Sequence, residues 1–530
     1  MDALRDIPSS ADAVDRRSVA HDLWPRRLLE RREREPLVLP EQVLWPENDE
    51  QLCRIVQQAR KERRAVVPFG AGSGVCGGVS PDRRAWVIDM KRMARLVEVD
   101  ERRGTCTVEA GMIGERLERL LNARGLSLGH FPSSIYCSTV GGWVATRSAG
   151  QLSSRFGKIE DLVVAVEGVD GRGKRIRAAL DDPETGPGAL RLLIGSEGAL
   201  CFVTRCTFRV HPLASHRWLR GFLFERLETA VPAMHMLLAS GEAPSVLRLY
   251  DPLDSFVAGA PKPAADEPDR IVAGGIARAG LEESGPEGEE ERGVLDDLAE
   301  RAESLALFAR PRATRRLVGE LLVRPLVANA LLDRFSSASK MVVGIEGGAE
   351  EVAERARALR GRLVAVGALD AGTAPGARWL LHRHRVSYRM SRAFAAGGWV
   401  DTMEVATGWD EVLPLYRAVR EALRDVAIVM CHFSHAYVDG CSLYFTFMGG
   451  GTEGRGPRSA LSRYDLAWER ALMTVRRQGG ALSHHHGVGR SKAAAMRLPE
   501  GNLRALSQLK RVLDPDGILN PGVLGLGGTP

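Results

Sequence analysis

"PFGAGSGVCGGVS", residues 68–80, places five glycines among the nine positions from Gly70 to Gly78. Gly72, Gly74 and Gly77 match G-x-G-x-x-G, the spacing of a dinucleotide-binding turn. That turn needs a helix directly behind it, with the helix N-terminus on the pyrophosphate. Here "SPDRR" runs straight into the strand-like "AWVIDM", residues 85–90, and leaves no room for a helix. A nicotinamide Rossmann site is therefore rejected. What remains is a loop between two strands. Its glycines let backbone approach a ligand closely, and its successive N–H groups can form an anion-binding nest. The competing reading is a flexible surface turn.

Outward from the loop the pattern is mixed. Upstream, Leu52, Ile55 and Val56 recur at helical spacing before a strand from Ala65 to Pro68. Downstream come three short strands, "AWVIDM", "LVEVD" and "TCTVEA". An amphipathic helix, "MIGERLERLLNARG", then carries Ile113, Leu117, Leu120 and Leu121 on one face, with Gly125 as its stop. Two later stretches, residues 221–251 and 341–368, each read strand, helix, strand, which predicts a ferredoxin-like sheet covered by helices. Residues 277–293, acidic and glycine-rich, read as an exposed loop. The expected class is α+β. The expected divisions are an N-terminal arm at 1–35, a two-part domain around the glycine loop at 36–212, a cap or substrate domain at 213–460, and a helical C-terminal segment at 461–530 that returns to the first domain.

Composition narrows the function. The 530 residues are 44% apolar and 26% charged, a globular balance that predicts more than one core. A formal charge of +6 is too small for a nucleic-acid footprint; it suits small anions or weak attraction to an anionic membrane surface. No apolar run reaches the ~18 residues of a membrane span. The expected location is cytoplasmic, with peripheral membrane contact and a homodimer both open. The eight cysteines form no C-x-x-C and suggest neither a disulfide framework nor a zinc module.

Three further blocks follow the glycine loop: "PSSIYCSTVGGWVATRSAG" (132–150), "FGKIEDLVVAVEGV" (156–169) and "LLIGSEGALCFVTRCTFRV" (192–210). The four blocks, in this order, resemble the flavin domain of the vanillyl-alcohol oxidase / p-cresol methylhydroxylase superfamily. The resemblance implies FAD as cofactor. It implies that Pro68, Phe69, Gly70, Ala71, Gly72, Ser73 and Gly74 cradle the pyrophosphate. It places Ser133, Ser134, Ile135, Tyr136, Cys137, Ser138 and Thr139, with Thr146, Arg147, Ser148 and Ala149, along the flavin and its ribityl chain. Glu197, Gly198, Ala199, Leu200, Cys201, Phe202 and Val203 complete the site. No histidine or cysteine in these blocks matches a flavin attachment pattern, so non-covalent FAD is expected.

The C-terminal half separates two branches. Hydroxy-acid dehydrogenases of this superfamily carry "GHxGDGNxH" and "SGEHGxG", whose side chains hold a divalent metal. Here the texts are "CHFSHAYVDGCSLYFTF" and "SHHHGVG", with Tyr444 and His485 at ligand positions. Losing a carboxylate ligand weakens the case for a hard metal, and no metal is expected. Both segments resemble the alkylglycerone-phosphate synthase branch, as does "TMEVATGW", while "DPDGILNPGVL" resembles the C-terminal signature the branches share. That resemblance implies exchange of the acyl chain of acylglycerone phosphate for a fatty alcohol, in ether lipid synthesis. Tyr444 would be the base and the flavin the covalent electrophile. His484, His485 and His486 would support the phenolate, and Arg248 and Arg389 would contact an anionic group of a lipid-like or small substrate. One feature departs: the branch has its arginine two residues after a tyrosine, whereas Tyr388 is followed by Arg389 and Met390. The alternatives are a D-2-hydroxy acid dehydrogenase or oxidase, and a non-catalytic flavin- or lipid-binding protein. Plain structural readings also stand: Tyr444 as a strand residue, the arginines as ion-pair partners, and adjacent histidines that diverge. His432 and His435 are expected at most to support the site from behind.

Overall fold

Asn48 starts the first long helix, Asp49–Glu62: its side chain accepts the Gln51 N–H at 3.0 Å, and Asp49 and Glu50 lie at the positive end of the helix dipole. Leu52, Ile55, Val56 and Ala59 share one fully buried face, which packs with Val66, Trp86, Ile88 and Phe202. This computed structural model describes residues 4–180, 188–257, 271–273, 321–335, 338–384, 393–394, 397–452, 456–496 and 498–526. The chain divides into two compact units, residues 1–212 with 482–530, and residues 213–481.

The first unit is built on two sheets. Strands β1 (Ser9–Ser10), β2 (Gln42–Leu44), β3 (Val66–Phe69) and β4 (Trp86–Asp89) lie in the order β1-β2-β4-β3. β2, β4 and β3 are parallel, and β4 is buried throughout, with Trp86, Val87 and Ile88 forming the apolar run of a covered parallel strand. β3 therefore delivers the glycine loop from its C-terminal end. The second sheet is antiparallel: β5 (Leu96–Asp100), β6 (Thr105–Glu109), β8 (Val163–Asp170), β9 (Arg175–Ala179) and β10 (Cys201–Arg209), in the order β5-β6-β10-β8-β9. A two-stranded pair, β7 (Leu126–Ser127) with β11 (His211–Pro212), closes the unit.

Two expectations change here. The N-terminal segment is no detached arm. β1 pairs with β2, and Ile7, Val19, Trp24 and Leu29 are buried, so several of the few apolar residues of a charged stretch enter the core. The C-terminal segment that joins this unit begins at residue 482, not 461. The Val66 N–H donates to Ile518 O, and the Asn520 N–H to Val66 O, each at 2.8 Å. Buried Lys510 donates to Ala199 O at 2.7 Å and Leu519 O at 2.9 Å.

The second unit carries one large antiparallel sheet. Strands β12 (His216–Phe224), β13 (Val246–Tyr250), β14 (Ile271–Ala273), β15 (Ser339–Gly347) and β16 (Leu369–Asp370) include the core order β16-β12-β15-β13. With the helices Leu227–Ala239 and Ala349–Ala365, this is the ferredoxin-like arrangement expected from the two strand–helix–strand stretches. A second unit of the same grammar follows: β17 (Trp399–Gly408), the helix Val412–Leu423, β18 (Ile428–Ala436), β19 (Gly440–Gly449) and the helix Ala460–Arg477. Its order is β18-β19-β17, and a bridge from Ala481 to Ala406 extends β17's free edge. β13 and β18 join the two halves through Leu249–Phe433 and Tyr250–His432. The helix Ala460–Arg477 belongs here because Tyr464 and Trp468 donate to buried Asp401 of β17 at 2.6 and 2.9 Å. Among the described residues no helix is long and apolar enough to cross a membrane. The acidic stretch 277–293 and Arg389, Tyr388 and Met390 lie outside the described residues.

Candidate functional site

In the first unit the glycine loop is a cradle rather than a loose turn. Gly72 and Gly77 have φ of +70° and +73°. A Cβ on Gly70 would lie 2.4 Å from Thr139 Oγ1, and one on Gly77 would lie 2.6 Å from the Trp24 ring. Buried Asp22 braces the loop by accepting the Gly78 N–H at 2.8 Å, while the Leu23 N–H donates to Gly74 O at 2.7 Å. Burial pushes Asp22 up to about 6, even though the Trp24, Val79 and Gly78 N–H groups and Arg27 favour its charge. Asp22 and Trp24 come from the N-terminal stretch, a contribution that its charged composition hides. The N–H groups of Ala71 to Val75 have no acceptor among the described residues, in a half-buried loop. Half-buried amides of this kind call for an anionic ligand. The residues present therefore fit an FAD pyrophosphate.

The histidine turn is tied to this loop. Gly489 packs on Cys76 O, where a Cβ would come within 2.0 Å, and the Arg490 and Ser491 N–H groups both donate to Cys76 O at 3.0 Å. Glu197, buried and with φ of +50°, accepts the Val488 N–H at 2.6 Å and the Gly489 N–H at 2.8 Å. Burial raises it to about 7, against those two donors and Lys492. Asn520 Nδ2 spans Gly78 O at 3.0 Å and Glu197 O at 2.7 Å. Inside the turn Ser483 Oγ donates to Gly487 O at 2.8 Å and accepts Lys492 Nζ at 3.0 Å. The three imidazoles cluster instead of diverging. His484 and His485 meet Nδ1 to Nδ1 at 3.0 Å, so one nitrogen is N–H and the other a lone pair, and His486 lies edge-on to His485 at 4.6 Å between centroids.

Several side chains assigned by sequence to the flavin are committed to protein partners. Glu197 holds the histidine turn, as above. Ser138 Oγ accepts Trp143 Nε1 at 2.8 Å and donates to Ser134 O at 2.8 Å. Thr139 caps the helix Val140–Thr146, and Thr146 Oγ1 donates back to Gly142 O. Arg147 makes a bidentate pair with Glu160 at 2.6 and 2.7 Å; burial opposes that carboxylate, yet Arg147 and Lys158 hold it at about 2. Phe202 belongs to the core. One polar ring was missed: His130, fully buried, edge-on to Trp143 and 3.2 Å from Ser148 Oγ, with burial lowering it to about 3. A lone histidine followed by "FPSS" gives no local signal of this.

In the second unit, strand register builds a row across one face. Glu404 of β17 faces Tyr444 of β19, Tyr444 faces His432 of β18, His432 faces Tyr250 of β13, and Tyr250 faces Lys340 of β15. Directly paired residues share a face. Tyr444 and its neighbours Thr446 and Met448 are half-buried, while Leu443, Phe445 and Phe447 are buried on the opposite face. The Tyr444 and His432 rings stack at 4.5 Å and 15°. Tyr444 OH donates to Thr402 Oγ1 at 3.1 Å, and Asp254 Oδ2 lies 3.3 Å from His432 Nδ1. Burial pushes Tyr444 up to about 12; the Thr402 bond and Arg248 oppose this, while Glu404 and Asp401 add to it. Arg248 lies over the Tyr250 ring at 5.7 Å, half-buried, with its Nε buried and unbonded. It has no carboxylate ion-pair partner among the described residues. His435 sits at a bulge with φ of +52°. Among the described residues no three histidine, cysteine or carboxylate side chains are placed to hold a metal together.

A glycine cradle for a dinucleotide and a separate antiparallel sheet bearing an arginine–phenol row define a two-unit flavoprotein enzyme. Residues 40–179 match the FAD binding domain model and residues 326–524 the model for the C-terminal domain of FAD linked oxidases. The chain is an FAD-linked enzyme and takes FAD as its cofactor. It is 29% identical over 499 residues to an alkyldihydroxyacetonephosphate synthase of Trypanosoma brucei brucei, covering 92% of this chain and 73% of that protein. The synthase of Dictyostelium discoideum is 27% identical, over 91% of this chain and 72% of its own. A solved alkyldihydroxyacetonephosphate synthase superposes with a TM-score of 0.71 at 24% identity, covering 98% of this chain and 82% of that one. Other FAD-linked oxidoreductases are also related.

Proposed function

We propose that the chain exchanges the acyl group of acylglycerone phosphate for a fatty alcohol, as an alkylglycerone-phosphate synthase-like transferase. The observation that carries the reading is Arg248. A half-buried guanidinium with an unbonded Nε and no carboxylate partner among the described residues suits a phosphate, because its fork of donors matches phosphate oxygens. Tyr444 shares that sheet face and presents a phenol to the ketone-bearing part of the substrate. The glycine cradle would hold FAD, which when bound would supply an electron-accepting ring. Glu197 fixes the turn that carries His484, His485 and His486, whose coupled tautomers can pass or hold a proton. The relatives' names support this reading. Incubation of FAD-loaded protein with acylglycerone phosphate and labelled hexadecanol tests it: formation of labelled alkylglycerone phosphate is expected. A second reading, D-2-hydroxy acid oxidation, follows from the same arginine, since a carboxylate also fits it. Anaerobic bleaching of the flavin by a 2-hydroxy acid, without alkyl exchange, would establish that reading instead.

A further inference from the structure

The transferase reading needs a group to take the proton from the carbon beside the ketone, and Tyr444 is the residue the sequence points to. Around that phenol the geometry favours the neutral form. Its O–H is engaged with Thr402, and Glu404 is its direct cross-strand partner. The ring stacked on it is differently placed. His432 lies flat against Tyr444 and is held at Nδ1 by Asp254, a residue 178 positions away on the helix Pro252–Val257. An imidazole whose Nδ1–H points at a carboxylate presents Nε2 as a lone pair. We propose that His432 is the catalytic proton acceptor of this site, that Asp254 is its positioning residue, and that the Tyr444 hydroxyl turns from Thr402 to donate a hydrogen bond to the substrate's carbonyl oxygen. The assignment rests on the transferase reading and deepens it.

The step balances without a further reactant. The C–H bond beside the ketone breaks, an N–H bond forms at His432 Nε2, and the electron pair moves onto the carbonyl oxygen as an enolate. Tyr444 stabilises that oxyanion, while Arg248 holds the phosphate. The groups facing His432 are Arg248 and Tyr250 from β13, Asp254 from its helix and Tyr444 from β19, with Lys340 of β15 behind Tyr250. Burial, then Arg248, lower the imidazole to about 4 while Asp254 opposes them, so at neutral pH it is unprotonated. An anionic substrate on Arg248 offsets that cation and makes Nε2 more basic.

The test uses full-length, FAD-loaded enzyme with acylglycerone phosphate and alcohol. It reads both alkyl exchange and loss of the hydrogen beside the ketone into heavy water. His432→Gln should slow both about 100-fold with KM and FAD content retained. Asp254→Asn should lower kcat by less and shift the acid limb of the pH profile. His432→Ala should regain hydrogen exchange when imidazole is added, and Tyr444→Phe should keep measurable hydrogen exchange. If His432→Ala does not retain FAD, the His432→Gln comparison decides. Near-normal hydrogen exchange in His432→Gln, together with its loss in Tyr444→Phe, would overturn the assignment and make Tyr444 the base. A wild-type enzyme showing neither reaction would overturn the transferase reading, and this assignment with it.

Discussion

Replacing Glu197 by glutamine tests how the histidine turn is held. The carboxylate is buried and accepts two backbone N–H groups, from Val488 and Gly489. Glutamine offers one acceptor oxygen and turns an NH2 toward the other donor, which leaves a buried N–H unpaired at a cost of about 1–3 kcal/mol. The wild-type side chain carries an opposing term. Burial raises its pKa from 4.5 to about 7, so the folded state binds the proton more tightly than the unfolded state between those values. The stability from that proton is fully present below about 4.5 and is lost as pH rises through about 7, a change of about 3 kcal/mol. The variant lacks this dependence. Flavin release on heating, followed by flavin fluorescence at pH 5 and pH 8, reads the difference. At pH 5 wild type should hold FAD to a higher temperature than Glu197→Gln; at pH 8 the gap should close or reverse. A gap of the same size at both pH values would refute the buried-carboxylate argument, and no gap at either would refute the clasp.

Arg248→Ala should raise KM for acylglycerone phosphate about 10- to 100-fold, the worth of a charged hydrogen bond, with FAD content unchanged in the absorbance spectrum. Gly77→Ala puts a side chain into the Trp24 ring at a φ of +73°, so the purified variant should be colourless or bind added FAD weakly by titration. Acid or heat denaturation of wild type should release all of the flavin into the supernatant; flavin left on the polypeptide would contradict non-covalent binding. Dialysis against a strong chelator should leave exchange activity intact, and stoichiometric metal whose removal abolished turnover would revive the hydroxy-acid reading.

The glycine loop could be recognised from residues 68–80 alone, because its demands are local: positive φ, close approach, and strands immediately on either side. The ordered blocks that follow it, and the first strand–helix–strand pair, were legible for the same reason. The second ferredoxin-like half was not. In the sequence β17, β18 and β19 show as motifs and the helix Ala460–Arg477 as the start of a C-terminal segment, because a helix's own periodicity does not name the sheet it covers. The N-terminal stretch misled in the opposite way: Asp22, Trp24 and Ile7 are sparse among charges, and only packing reveals that they wall the loop and fill the core. Tyr444, Arg248 and the three histidines could be named from sequence, but not what each touches. The stacking of His432 on Tyr444 and its bond to Asp254 depend on strand register, and a slip of one residue would turn those side chains to the other face. Register between strands far apart in the chain is set by the whole sheet, so tertiary structure alone brought the acid, the imidazole and the phenol together.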